Sequence, residues 1–190
     1  MLFRSIEARI CAENPDGQFL PSTGTLHVYR KPSASAFEVS AVRFDDGVRE
    51  GDAISPYYDS MIAKLIVHGE DLAQALSRLD AALAQTRIVG LSTNVQFLRR
   101  VLATDSFASA KLDTALIQRE QTRLFGTETV STERALAVAS SWAHLARTTQ
   151  SPIATGWVDP WSHTDGFAPM GVSQRRFSWQ VGDEAVHTVL

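Results

Sequence analysis

Ile6-Glu-Ala-Arg-Ile-Cys-Ala-Glu-Asn-Pro15 decides how the first half of this chain folds. Ile6, Ala8 and Ile10 alternate with Glu7, Arg9 and Cys11, the period-two pattern of a strand with one buried face. Asn14-Pro-Asp-Gly17 then turns the chain, and Pro21-Ser-Thr-Gly24 is a second turn signal. Outward from there, Thr25–Arg30 and Phe37–Arg43 read as strands. Met61-Ile-Ala-Lys-Leu-Ile-Val-His68 reads as another through its β-branched content.

Helix takes over after Gly69. Leu72, Ala75, Leu76, Leu79, Ala82 and Leu83 share one face at helical spacing, with Glu70 and Asp71 at the favourable N-terminal end. Arg87–Leu91 is a short strand candidate. Thr93-Asn-Val-Gln96 has capping-box spacing and would open a helix carrying Val95, Leu98 and Leu102. Asp113 to Arg119 predicts one more short helix. Strands first and helices later imply an α+β unit, an antiparallel sheet with packed helices.

Residues 120–131, rich in Thr, Gln and Glu, read as a linker. Ser131 or Thr132 can cap a helix running to about Thr148, whose Ala135, Leu136, Val138, Ala139, Trp142, Ala143, Leu145 and Ala146 cover nearly its whole circumference. Such a helix needs enclosure. Phe177, Trp179 and Val181 alternate with Ser178 and Gln180, Gly182-Asp-Glu184 turns the chain, and Ala185–Leu190 begins a further strand. A helix awaiting a sheet that has barely begun predicts a truncated second domain over residues 132–190.

Composition narrows the function classes. The 190 residues are 44% hydrophobic and 21% charged, an ordinary soluble balance. Eighteen basic against 21 acidic residues give a net charge of -3 with no basic block, which argues against nucleic acid or an anionic membrane as partner. Cys11 is the only cysteine, so neither an internal disulfide nor a cysteine-cluster metal site can form. A reducing, cytoplasmic location is expected, and no apolar run reaches the ~20 residues of a membrane span.

Other chemistry-bearing groups favour ordinary roles. His68-Gly-Glu-Asp71 sits at a strand-to-helix turn, where acids serve a helix start. Asp45, Asp46, Glu50 and Asp52 lack the spacing of a calcium loop. His27 has no carboxylate close in sequence to orient it. Trp157, Trp161 and Phe167 suit packing better than a sugar platform. No metal site is expected.

Three blocks in order, Ile6–Pro15, Phe19-Leu-Pro-Ser-Thr-Gly-Thr-Leu26 and Val48-Arg-Glu-Gly-Asp-Ala-Ile-Ser-Pro-Tyr-Tyr-Asp-Ser-Met-Ile-Ala-Lys-Leu65, resemble the C-terminal subdomain of biotin carboxylases. Arg87-Ile-Val-Gly90, Thr93-Asn-Val95, Phe97-Leu-Arg-Arg100 and Leu112-Asp-Thr114 extend the resemblance through residue 119. It implies a biotin carboxylase C-terminal domain at residues 1–119, part of an ATP-dependent ligase. That family carboxylates biotin on a carrier domain, with ATP and Mg2+ or Mn2+ activating bicarbonate. Loss of the ureido proton puts negative charge on the ureido oxygen, and a guanidinium aimed there stabilises it as an oxyanion hole would.

The resemblance assigns that role, and the cofactor contact to biotin, to Arg9. Spacing alone makes Arg9 an exposed strand arginine paired with Glu7, Glu13 or a cross-strand acid. Glu7 is expected as a supporting charge. Asp59 in Tyr57-Tyr-Asp59 lies in a loop the family places at the edge of its active site and subunit contact, or else simply begins a new element. Arg43 matches a dimer-interface position, or is a solvated strand-end arginine. Thr114 falls near the segment bordering the adenine pocket.

No Gly-rich phosphate loop precedes a helix in this chain. The family's ATP-binding lysines, metal-binding glutamates and bicarbonate-binding arginine belong upstream of these blocks, and its biotinylated Met-Lys motif belongs elsewhere. The chain is thus expected to be a fragment, inactive alone, with an artificial start at Met1–Arg4.

Asp159-Pro-Trp161 and Asp165-Gly-Phe167, after the apolar helix, resemble the start of the connecting domain of acyl-CoA carboxylase biotin-bearing subunits. In that family a β-barrel wraps the helix and docks a carboxyltransferase (beta) subunit. The pattern is nearest the 3-methylcrotonyl-CoA and geranyl-CoA types, although Ala168-Pro-Met170 departs from it. The 3-methylcrotonyl type would place the chain in leucine degradation. A propionyl-CoA or acetyl-CoA type, or a non-catalytic assembly module, remains open. An oligomeric full-length enzyme is expected.

Overall fold

The alternating stretch that opens the chain forms β1 (Ser5–Cys11) in the computed structural model, which describes residues 4–113, 115–125, 131–149, 174–181 and 184–190. Short strands follow: β2 (Glu13–Asn14), β3 (Leu20–Pro21), β4 (Gly24–Thr25), β5 (Val28–Arg30), β6 (Val42–Asp46) and β7 (Ala53–Ile54). Next come β8 (Met61–His68), α1 (Leu72–Gln85), β9 (Arg87–Val89) and α2 (Val95–Leu102). Three one-turn helices complete the series: α3 (Asp105–Ala108), α4 (Leu116–Arg119) and α5 (Gln121–Leu124). The chain divides into two units, Met1–Gly126 and Thr127–Leu190.

The first unit is built on an antiparallel sheet in the order β1-β8-β6. Its register aligns Ala8, Leu65 and Phe44 in one row and Arg9, Lys64 and Asp45 in the next. Strand alternation sends these rows to opposite faces. The first face is buried against α1 through Ala75, Leu79, Ala82 and Leu83. Each leucine so enclosed stabilises the fold by about 1.5–3 kcal/mol. Helix α1 starts where Asp71 accepts a hydrogen bond from the Gln74 N–H at 2.8 Å, an N-cap that satisfies one orphan donor. A second cluster joins Phe97 of α2 to Leu116 and Leu124, with Phe19 edge-on to Phe97 at a centroid distance of 4.9 Å.

Four local expectations change. The strand expected over Thr25–Arg30 is two strands: Leu26 N–H bonds to Asp52 O and His27 N–H to Val89 O, so the chain switches partners between β7 and β9. Phe37–Arg43 is not one strand. Phe37 has φ 57°, Ser40 Oγ bonds to Val42 O, and pairing begins only at Val42; serine side chains here compete with the ladder for backbone groups. Thr93 opens no capping box, because α2 has Asn94 at its N-cap with no side-chain cap bond. The start of the expected linker is helix α5, whose Leu124 is fully buried.

The second unit contains α6 (Thr132–Thr149), β10 (Arg176–Val181) and β11 (Glu184–Val189). Ser131 Oγ accepts from Arg134 N–H at 3.3 Å, as its capping role requires. The β10–β11 hairpin packs β11 on α6, and Trp179 Nε1 donates to Ser140 Oγ at 3.1 Å and Thr188 Oγ1 at 2.9 Å. Val138 and Trp142 stay 70% and 71% exposed. Trp157, Asp159–Trp161, Asp165–Phe167, Ala168–Met170 and the turn at 182–183 lie outside the described residues. Among the described residues no helix is long and apolar enough to cross a membrane.

Candidate functional site

The polar face of the three-stranded sheet gathers the charged groups. Register puts Arg9 opposite Lys64 and Lys64 opposite Asp45, while Glu7 faces Ile66 and Ile66 faces Arg43. Glu7, Arg9, Lys64, Arg43 and Asp45 thus share a surface, with Arg9 on the open edge strand.

Arg9 is 67% exposed at its side chain, and its Nε lies 3.4 Å from Glu7 Oε1. A single solvated contact of this kind is worth about 0–1 kcal/mol. Nη1 and Nη2 have no hydrogen-bond partner among the described residues. The guanidinium therefore offers an open fork of donors, the geometry that suits a planar oxygen acceptor. Glu7 sits beside Arg9, where a supporting charge was expected.

The backbone under Arg9 is held far more firmly than its side chain. Asn94 Nδ2 donates to Arg9 O at 3.0 Å, and Asn94 Oδ1 accepts from Cys11 N–H at 2.9 Å. The Asn94 N–H also reaches Cys11 O at 3.2 Å. Residue spacing offered no sign of this clamp, since Asn94 and Arg9 lie far apart in sequence. Lys64 was likewise missed, and only the strand register reveals it.

Around Cys11 the environment turns acidic. Burial pushes the Cys11 thiol up, Glu13 and Asp59 push it further, and a hydrogen bond with Ser60 and the charge of Arg9 oppose them. A thiol held protonated is a poor nucleophile. Glu13 accepts from Ser60 Oγ at 2.7 Å, and Asp59 Oδ1 accepts from Met61 N–H at 3.0 Å. Asp59 thus closes a local turn beside the exposed Tyr57 and Tyr58.

Arg43 is paired within the chain: its Nε donates to Asp45 Oδ1 at 3.0 Å and Oδ2 at 2.7 Å. That hydrogen bond holds the Asp45 carboxyl below its ordinary range, with the Phe37 N–H assisting against desolvation. The same contact raises Arg43. The pair lines a groove of about 480 Å³ together with Phe37, Met61 and Lys64. Thr114 lies outside the described residues. Among the described residues no three His, Cys, Asp or Glu side chains cluster as a metal site would need.

Comparison with known proteins gives this face a family context. The family model described as Biotin carboxylase C-terminal domain matches residues 7–119. The methylcrotonoyl-CoA carboxylase subunit alpha, mitochondrial, of Dictyostelium discoideum is 39% identical over 163 residues, 86% of this chain and 23% of that protein. Urea amidolyase of Saccharomyces cerevisiae is 40% identical over 117 residues, 62% of this chain and 6% of that protein. The dimeric biotin carboxylase domain of Hydrogenobacter thermophilus 2-oxoglutarate carboxylase, solved with MgADP, ADP and bicarbonate, aligns with TM-score 0.58 at 33% identity. That alignment covers 63% of this chain and 25% of the solved one. The chain spans less than a quarter of the length of these two curated relatives.

Proposed function

The chain belongs to the biotin carboxylase C-terminal domain family, and from that premise we propose that it supplies one wall of a biotin carboxylase active site within a biotin-dependent carboxylase. The observation that carries this reading is the open Nη1/Nη2 fork of Arg9, projecting from a strand whose backbone is clamped beneath it. Biotin, when its carrier domain delivers it, supplies a nucleophilic ureido nitrogen. Arg9 then donates to the ureido oxygen and stabilises the charge that develops there as the ring nitrogen loses its proton. The always-charged guanidinium holds no proton in transit, so its contribution is electrostatic.

Glu7 in this reading keeps Arg9 oriented until an acceptor displaces the weak pair. Asp59 shapes the loop beside Arg9, and Arg43 with Asp45 forms a subunit-contact position. Thr114 is assigned to the border of the adenine pocket. ATP, its Mg2+ or Mn2+ and bicarbonate are assigned mainly to parts of the enzyme other than these 190 residues. The proposed partners are the biotin carboxyl carrier domain and a carboxyltransferase (beta) subunit, in an oligomer. We assign residues 132–190 to the start of the connecting domain that docks that subunit, its α6 enclosed by a barrel.

The 3-methylcrotonyl-CoA class is favoured by the Dictyostelium relative, whose match extends over most of this chain. That relative is labelled mitochondrial, so the cytoplasmic expectation widens to a reducing compartment that includes the mitochondrion. Propionyl-, acetyl- and geranyl-CoA types, and a purely assembling module, are the alternatives.

The test is label transfer. The intact protein carrying this chain, given ATP, Mg2+, free biotin and radiolabelled bicarbonate, should fix acid-labile label on biotin. Addition of its carboxyltransferase partner should then move the label to 3-methylcrotonyl-CoA in preference to the other acyl-CoA esters or urea. Failure to label biotin at all would leave only the assembly reading.

A further inference from the structure

We propose that Asn94 is a positioning residue for Arg9, acting as a one-residue substitute for the strand that the open edge of the sheet lacks. This inference rests on the reading of Arg9 as the biotin contact. Strand β1 is at the sheet edge, and its register with β8 slips between Ile10 and Cys11. An edge with a bulge is where a strand would otherwise bend and waver. Asn94 meets it there with three hydrogen bonds, two from its side-chain amide and one from its backbone N–H. All three fall on Arg9 and Cys11, the residues on either side of Ile10, after which the register slips.

The chemistry at position 94 selects asparagine. One carboxamide can donate to the Arg9 carbonyl and accept from the Cys11 N–H at once, whereas a carboxylate can only accept. Asn94 also stands at the N-cap of α2, yet makes no side-chain cap bond to its own helix. A side-chain cap ordinarily stabilises a helix start, so the Asn94 carboxamide serves the strand at the expense of the helix. The residue is only 8% exposed, which makes it a fixed post rather than a passing contact. From it, the Cα of Arg9 acquires a defined height above the polar face, and the open guanidinium fork a defined origin.

The positioning role predicts a split between kinetic constants. In the intact carboxylase, Asn94→Ala should lower kcat/KM for biotin by on the order of 10- to 100-fold, as small misplacements of a reacting group do. The KM for ATP should change less than about twofold, since the clamp touches only β1. In an Arg9→Ala background, Asn94→Ala should lower biotin turnover no further, because both act through one guanidinium. Asn94→Asp keeps the shape and the Cys11 bond but sets a carboxylate oxygen against the Arg9 carbonyl. It serves if the alanine variant does not fold, and assayed well below its own melting temperature it should lose biotin turnover.

Three results would overturn the inference, and they differ. If Arg9→Ala itself leaves biotin turnover intact, the reading of Arg9 fails and the role of Asn94 falls with it. If Arg9→Ala lowers turnover steeply while both Asn94 variants keep wild-type kcat/KM for biotin, only the positioning role is wrong. A further drop from Asn94→Ala in the Arg9→Ala background would likewise mark Asn94 as a structural residue alone.

Discussion

Arg9 and Lys64 stand directly opposite each other in the antiparallel pairing of β1 with β8, so two cations share one row of the exposed sheet face. Like charges in that relationship repel, and the row is relieved on its far side by Asp45. The positive end is therefore left facing the open edge, where an anionic or strongly polarised oxygen would be welcome.

Reversing the charge at 64 should spoil this arrangement. In Lys64→Glu the new carboxylate would compete for the free Nη1 and Nη2 of Arg9, and biotin-dependent turnover in the intact enzyme should fall about tenfold or more. Steady-state kinetics at saturating ATP would check it. An unchanged rate would mean that the fork of Arg9 is not available for capture.

Acid should weaken the first unit through its arginine-paired aspartates. Hydrogen bonds from Arg43 to Asp45 and from Arg119 to Asp113 hold both carboxyls below their ordinary range in the folded chain. A folded pKa below the unfolded one contributes stability above the unfolded value, about 3.9, which is lost as pH falls through the folded value. Asp45→Asn should therefore lose less melting temperature than wild type on acidification below about pH 4. Parallel melting curves as a function of pH would show it.

The core behind the polar face sets the stability of the unit. Leu65 is fully buried and Leu79 is 1% exposed, from β8 and α1 respectively. Truncating either to alanine should cost about 2–5 kcal/mol through lost burial and a residual cavity. Removing the α1 cap in Asp71→Ala should cost less, about 0.5–2 kcal/mol. Denaturant titration can rank the three variants.

Gly90 should tolerate no side chain. Its φ is +119°, and a Cβ there would collide with the carbonyl oxygen of Thr25 where β4 hands over to β5. Gly90→Ala should destabilise by more than about 1 kcal/mol. Thermal unfolding gives the readout.

These contrasts also explain what was legible before the structure. Strand β1 and strand β8 are patterned or β-branched over seven and eight residues, and both fall where the sequence places them. Helix α1 is equally plain because four of its six apolar face residues are buried. Thr25–Arg30 misled because its propensity is continuous while its partners are not: Leu26 N–H bonds to Asp52 O and His27 N–H to Val89 O. Phe37–Arg43 misled because the Ser35 and Ser40 hydroxyls bond to the backbone carbonyls of Glu38 and Val42 in place of a regular ladder.

At the site, Glu7 and Arg9 were visible as neighbours on one strand face. Asn94 was visible only as a helix start, since its true partners depend on how α2 meets the sheet edge. Lys64 required the register of β1 against β8. Local pattern carries elements, whereas long-range pairing carries the site.

The central claim is tested most directly by Arg9→Ala in the intact carboxylase, measuring transfer of radiolabelled bicarbonate to biotin alongside ATP affinity. The account predicts loss of labelled biotin by about 100-fold or more, as for removal of a donor to a developing oxyanion, with ATP affinity nearly unaltered. Wild-type labelling of biotin by the variant would contradict it.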